Sequence, residues 1–342
     1  MFSILKIIIK KCSFFLLVLA LFFLSCQSNS SKKLISELPD SGSLLSKEIT
    51  LDSTVLIPSK ILLFPDMAVI FDNGKEALFK VYSLPDLSFL YSFGEKGEGP
   101  DEFHYLDVNS MQTINNDLML VSGSNIRKIR IEEDKPLMGE SVELLLSYAS
   151  PVNRLLMIND STYISDVLDA KPGGPEHQMV HLSRAEEIAT FGKYAENPTS
   201  ENMNQSDFYR NFMKTTVVNP KDGRLAAFYI HQNQIKFYSP HGELVREIEV
   251  EIPLKNVSEE EMNLFRAEGY ATSAHIFVLY LGVPKSVVME QSDTFRPHLI
   301  GMGIYWNALC STSSLLPLLF LRNIKRFMGS LFLKRMYFSN MI

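Results

Sequence analysis

The sequence predicts an all-β chain, and three observations carry that expectation. From Ile49 onward, short apolar and β-branched runs alternate with turn-forming pairs. Val55 to Phe64, Met67 to Phe71, Leu78 to Tyr82 and Phe89 to Phe93 are divided by Pro65-Asp66, Asn73-Gly74 and Pro85-Asp86. A strand, a turn and a return strand, clearest in Phe79 to Phe93, recur from Met179 and from Ile235, with a weaker copy from Ile126; the starts at 79, 126, 179 and 235 stand 47, 53 and 56 residues apart. Lastly, Phe93-Gly94-Glu95-Lys96-Gly97-Glu98-Gly99-Pro100-Asp101-Glu102-Phe103 reads as the link between two sheets.

Each element has a local reason. Four short strands with tight turns make one antiparallel meander, and propeller blades repeat at roughly 40–50 residues. The later units therefore carry longer loops. A β-sandwich is the alternative, but it is not expected to repeat one hairpin at near-even spacing. In the link, Gly94, Gly97 and Gly99 fit a helix poorly, since glycine supplies positive φ at little steric cost, while Pro100 fixes φ and removes a donor. Phe93 and Phe103 pin the two ends, with Glu102 just before the second. A phosphate cradle would need a helix directly after the glycines. Pro100 and the run His104 to Val108 follow instead, with no Gly-Lys-Ser/Thr ending.

At 342 residues the chain is long enough for a sizeable core. Its net charge of −6 argues against a nucleic-acid partner. Cys12, Cys26 and Cys310 show no paired metal spacing and no disulfide framework. Lys6, Lys10 and Lys11 precede an apolar run from Cys12 to Leu24 and then Ser25-Cys26, the layout of a secretory signal over residues 1–25. The cysteine behind a small residue resembles a bacterial lipobox, which makes Cys26 the acylated first residue. An uncleaved anchor is the alternative, but the run is shorter than the ~20 residues a spanning helix needs. Residues 26–46, beginning with the polar stretch Gln27 to Lys33, are expected to be a structureless tether, and residues 47–300 the propeller. No acid follows Cys26 directly, which favours an outer-membrane lipoprotein facing the periplasm.

Lipobox, tether, repeats and the Phe-Gly-x-x-Gly-x-Gly-Pro-x-Glu-Phe link together resemble the TolB-like six-bladed propeller lipoproteins of Gram-negative bacteria. The glycine motif is also similar to the inter-blade link of NHL-type propellers. The resemblance spans residues 26 to about 300. It implies a six-bladed β-propeller of four-stranded antiparallel blades, and it is silent on chemistry.

Ser258-Glu259-Glu260-Glu261 is a capping box, and Met262, Leu264 and Phe265 follow at roughly helical spacing, so a short helix is expected from Glu259 to Glu268. Candidate chemistry is sparse. His177 and His181, with Glu176 alongside, lie on one face of an expected strand and make a conceivable metal pair, weighed against plain exposed histidines. Asp101, Glu102 and His104 form a compact cluster, more readily read as solvated turn residues. Asp72-Asn73-Gly74-Lys75-Glu76 hints at a calcium loop, but Lys75 favours a hairpin turn. Phe208-Tyr209, in an expected polar loop, either rim a ligand mouth or pack on the sheet. No catalytic, cofactor-binding or metal residue is assigned, and no cofactor is expected.

Residues 301–342 differ from the rest: Leu315 to Leu321 is apolar, Lys and Arg follow, and no acid occurs. One reading is a basic amphipathic membrane contact. The other is a frameshift, since a shifted frame with suitable synonymous codons turns Gly301 to Cys310 into a strand-turn start and Leu316 to Ile342 into a soluble alternating sequence. On that reading the last blade is scrambled, and the segment from Ile49 to Val55 lacks its partner strand. The function expected is a lipid-anchored binding or scaffold module for a polypeptide or glycan. The alternatives are a lyase or hydrolase with a channel metal, and a non-functional relic.

Overall fold

A computed structural model describes residues 31–35, 49–51, 53–74, 77–99, 101–144, 155–167, 171–184, 186–196, 204–250, 263–290 and 298–300. The strands run in chain order through five sheets. Strand β1 (Ser31–Ile35) is discussed below. The first sheet is β2 (Pro58–Leu63), β3 (Met67–Asp72), β4 (Phe79–Ser83) and β5 (Phe89–Phe93). The second is β6 (Leu106–Ile114), β7 (Asp117–Ser122), β8 (Asn125–Ile131) and β9 (Pro136–Glu143). The third is β10 (Leu156–Asn159), β11 (Thr162–Asp166), β12 (His177–His181) and β13 (Glu186–Phe191). The fourth is β14 (Lys214–Val218), β15 (Leu225–Tyr229), β16 (Gln234–Tyr238) and β17 (Leu244–Val250); a three-stranded sheet of β18 (Asn263–Ala271), β19 (Ile276–Pro284) and β20 (His298–Ile300) follows.

Each sheet is an antiparallel meander, and its first strand packs against the first strand of the next, β2 on β6, β6 on β10, β10 on β14 and β14 on β18. That is the propeller arrangement, with first strands innermost. The core lies between neighbouring sheets. Val69, Phe79 and Val81 meet Leu118 and Ile129 between the first two, and Met119 and Val121 meet Tyr163 and Val180 between the next two. Leu156, Ile164 and Met179 meet Leu225 and Ala227, and Ala226, Phe228 and Ile235 meet Ile276 and Val278. Each buried Val, Leu, Ile, Phe or Met among them contributes about 1.5–3 kcal/mol.

The four starts at 79, 126, 179 and 235 all fall on the third strand of successive sheets. The pairing corrects their alignment. Phe79 is opposite Phe93, followed by Gly94, and His177 is opposite Phe191, followed by Gly192. His177, not Met179, therefore occupies the place of Phe79.

A bulge recurs on the outermost strand of the first four sheets, where two residues face one or the ladder skips. In the first, third and fourth sheets the extra residue is Leu90, Ile188 or Val245, and all three are exposed aliphatics. An outermost strand presents unpaired backbone groups to any passing chain, and a bulge interrupts that template. The exposed side chains mark where the ladder is broken.

The structure departs from expectation in four places. Residues 263–271 form strand β18 rather than the second half of a helix, because each end pairs with β19, Asn263 to Pro284 and Ala271 to Ile276; residues 259–262 lie outside the described set. Ile49, Leu51 and Val55 form no strand; they pack on Ala68, Ile70, Tyr82 and Leu87 and cover the free side of the first sheet. Ser31–Ile35, expected to be structureless, is a strand parallel to β17. Phe208 and Tyr209 lie in a helix, α1 (Gln205–Asn211), not a polar loop; α2 (Lys285–Glu290) is the other helix among the described residues. Cys26 and residues 301–342 lie outside the described residues.

Candidate functional site

The link from Phe93 to Phe103 connects β5 to β6. Phe79 stacks on Phe93 with centroids 4.9 Å apart and meets Phe103 edge-on at 5.5 Å, while the Arg127 guanidinium lies 5.0 Å above the Phe103 ring. Gly94 has φ of 82°, and a Cβ there would come within 2.9 Å of both the Phe79 and Phe103 rings. Glu102 folds back so that its carboxylate accepts the Gly99 N–H at 2.8 Å, and a Cβ on Gly97 would strike that carboxylate. The Phe103 N–H donates to the Glu95 carbonyl and the Gly97 N–H to the Phe103 carbonyl. Pro100 lies outside the described residues. Gly94→Ala is expected to cost about 2–3 kcal/mol, from the left-handed backbone plus ring displacement, read as a lower urea midpoint; an unchanged midpoint would contradict the contact.

Asp101 and His104 are exposed, and His104 Nδ1 is 3.6 Å from the exposed Glu98 carboxylate. This cluster is solvated. The Asp72 carboxylate, suggested as a calcium ligand, is instead buried and taken up by protein. It accepts the N–H groups of Leu56 (2.9 Å), Ile57 (2.6 Å) and Gly74 (3.2 Å), and pairs with buried Lys80 at 3.2 Å. Lys80 also donates to the Thr54 carbonyl. Burial works to raise the Asp72 pKa, but the two backbone donors and the Lys80 ammonium outweigh it and leave it below the ordinary value.

His177 and His181 do not form a metal pair. They occupy the two ends of β12, and four residues at a strand's rise separate them by about 13 Å, far beyond two ligands of one ion. His181 Nδ1 is 3.3 Å from the Ser183 hydroxyl, while His177 is buried, stacked on Phe191 at 5.0 Å.

What surrounds His177 is a buried charge cluster between the third and fourth sheets. Glu176 is fully buried; its carboxylate accepts from Tyr229 (2.5 Å) and Lys236 (2.5 Å), with the Tyr238 hydroxyl at 3.4 Å. Lys236 also donates to the Lys193 carbonyl at 2.9 Å. His177 Nδ1 is 3.0 Å from Asp166, and Lys214 lies 3.8 Å from the same carboxylate and donates to the Tyr194 hydroxyl at 3.3 Å. The third sheet and its links thus supply the acids, and the fourth supplies both lysines.

The electrostatics follow from this enclosure. Burial works to raise the Glu176 pKa, but Lys214, Lys236 and His177 outweigh it and hold it below the ordinary range. Burial would lower the Lys214 pKa; Asp166, Tyr194 and Glu176 reverse that and raise it. Tyr229 and Tyr238 are pushed up, first by burial and then by the Glu176 charge. Helix α1, capped by the Asn204 side chain accepting the Asp207 N–H at 2.9 Å, closes the cluster. Its Phe208, with Phe212 just beyond, packs with Tyr194 and Tyr229 in one aromatic group, so packing rather than a ligand mouth is the role of Phe208.

Sequence reasoning missed all three buried lysines, Lys80, Lys214 and Lys236, although two of them carry a local signal. The signal was present: Phe79-Lys80-Val81-Tyr82-Ser83 and Ile235-Lys236-Phe237-Tyr238-Ser239 place a lysine second in an apolar run, twice. Each lysine meets a buried acid. The cluster is buried where the third and fourth blades meet and ties the two together.

The face that carries the inter-blade links also bears exposed apolar side chains. Leu56 and Ile57, just before β2, are 59% and 42% exposed, and Tyr105, just before β6, is 51% exposed. The Asn73 N–H donates to the Ile57 carbonyl and the Gly123 N–H to the Tyr105 carbonyl, so the backbone on both sides is held while the side chains project. Among the described residues, no three His, Cys, Asp or Glu side chains are placed to hold a metal ion.

Successive four-stranded meanders with innermost first strands and cores between the sheets make this a β-propeller. Residues 36–248 match the family model described as TolB-like 6-blade propeller-like, and the chain belongs to that family. The six blades of the family exceed by one the five sheets among the described residues. No curated protein matches the sequence. Among solved structures, it is similar to a Bacteroides fragilis protein described as exported (14% identity, 73% of each chain covered, TM-score 0.46). It is also similar to a DUF4221-family protein from Bacteroides vulgatus (9% identity, 73% of this chain and 76% of that one, TM-score 0.41).

Proposed function

We propose that this propeller is a lipid-anchored, extracytoplasmic binding or scaffold module whose link face takes a polypeptide or a glycan. The observation that carries the reading is the contrast on that face. Asp72, Asp166, Glu176, Lys80, Lys214 and Lys236 are tied up in buried pairs, whereas Leu56, Ile57 and Tyr105 are exposed at the entries to two neighbouring inner strands. Apolar and aromatic side chains on a rigid backbone suit an extended peptide or the face of a sugar ring. The lipid anchor rests on Lys6, Lys10, Lys11, the apolar run and Cys26; an outer-membrane, periplasm-facing location is part of the same reading.

Two measurements test it. Cys26→Ser is expected to abolish incorporation of a clickable palmitate analogue and to release the protein from the membrane pellet; retained labelling would refute the anchor. For the face, the purified protein is probed on an array of oligosaccharides and on an immobilised peptide library. Binding that Tyr105→Ala with Ile57→Ser weakens at least tenfold supports the reading. No binding to either probe, or binding the double variant retains, refutes it.

A further inference from the structure

Among the described residues, only one outermost strand carries an added partner, and the added strand is β1. Strand β1 pairs in parallel with β17, Ser31 opposite Arg246 through Ile35 opposite Val250. The register begins immediately after the bulge residue Val245, where the regular ladder resumes. Beyond the bulge, β17 pairs with β16 from Arg246 to Glu249, four residues against three at Tyr91–Phe93, Ser141–Glu143 and Ala189–Phe191 on the other sheets. Among these four blades the fourth has the longest regular run beyond its bulge, and Lys32 falls opposite Glu247 in the β1 register.

The direction of β1 has a consequence for how the molecule sits. Strand β17 enters from the turn Ser239–Glu243 and leaves toward the link face, and β1, being parallel, enters at the turn end too. Ser31 is five residues after Cys26, a covalent reach of about 17 Å at full extension. We propose that β1 docks the fourth blade against the membrane, turn face toward the bilayer and link face away. This rests on the lipid anchor proposed above. The surface is then defined by chemistry: a lipid headgroup layer meets the turns Ser239–Glu243 and Asn219–Arg224, which carry His241, Glu243, Lys221, Asp222 and Arg224 and so no block of like charge. The link face, with Leu56, Ile57 and Tyr105, stays free for a soluble or cell-wall partner.

The test uses the full lipidated chain in a Cys310→Ser background, reconstituted into phosphatidylcholine–phosphatidylglycerol vesicles with nitroxide-labelled headgroups. One fluorophore is attached at His241→Cys (turn face) or at His104→Cys (link face); both native side chains are exposed. Quenching at least twofold stronger at position 241 is expected, and Leu34→Pro, which breaks the β1–β17 ladder, should equalise the two. Equal quenching in the parent protein, or a difference that survives Leu34→Pro, overturns the proposal. A chain that does not float with vesicles refutes the anchor instead, and docking is then read from the unlipidated Cys26→Ser protein. There, slowed amide exchange at both 31–35 and 246–250 supports the strand pairing, and fast exchange at 31–35 overturns it.

Discussion

Replacing Glu176 by alanine is expected to lower the unfolding free energy by about 3–5 kcal/mol, the usual cost of removing one partner from a buried ion pair. The carboxylate is fully buried, holds Lys236 and Tyr229 at 2.5 Å and stabilises the charge on Lys214. Without it, Lys236 loses its carboxylate partner while Lys214 keeps Asp166 at 3.8 Å. Urea unfolding reads the loss. A cycle with Lys236→Met separates the pair from its surroundings: the double variant should be more stable than Glu176→Ala alone, because the stranded charge goes with the lysine. A loss below about 1 kcal/mol, typical of an exposed pair, would show that the cluster is open to water. The pH dependence has a definite sign. Glu176 and Asp72 both titrate below their ordinary values of 4.5 and 3.8 in the folded chain. Their stabilisation is therefore fully present at neutral pH and is lost as pH falls through the depressed folded values. Stability should fall steeply below about pH 4, and Glu176→Gln should flatten that fall; an equally steep fall in the variant would remove Glu176 from the explanation.

Phe103→Ala is expected to cost about 3–5 kcal/mol, as large-to-small changes at buried aromatics do. The ring is 1% exposed and forms the far anchor of the link, against Phe79 and beneath Arg127. Its loss removes the contact that brings β6 into place after β5. Phe103→Leu keeps much of the volume and should recover about half of the loss or more. Thermal unfolding of both variants checks this, and an Ala variant within about 1 kcal/mol of the parent would mean the link closes without its anchor.

Much of the architecture was legible because it is written at short range. The hairpin from Phe79 to Phe93 shows its strands by apolar and β-branched content and its turn by Pro85-Asp86, all within fifteen residues, and its copies announced the third strand of the second, third and fourth sheets. The helix placed over Glu259–Glu268 shows the limit of such reasoning. Ser258 and Glu261 make a sound local start signal, but pairing with β19 decides the state of residues 263–271. Strand β1 was illegible for a related reason: a polar stretch becomes a strand on the edge of β17, more than two hundred residues away.

The charge cluster lay further out of reach. Lys236 and Glu176 are sixty residues apart in the chain, and nothing near either names the other. His177 looked like half of a metal pair because it is two strand periods from His181, and its burial against Phe191 and Tyr238 is visible only once the blades are packed.

By itself, then, the sequence determined strand content, the turns, the repeated hairpin and the glycine link, because each depends on backbone preferences and side-chain alternation within a few residues. The tertiary structure alone decided which charges are consumed in holding blades together, which edge accepts the N-terminal strand and which apolar side chains remain exposed. Those depend on what lies across a blade interface, and a buried charge takes its partner from there, wherever in the chain that partner was written.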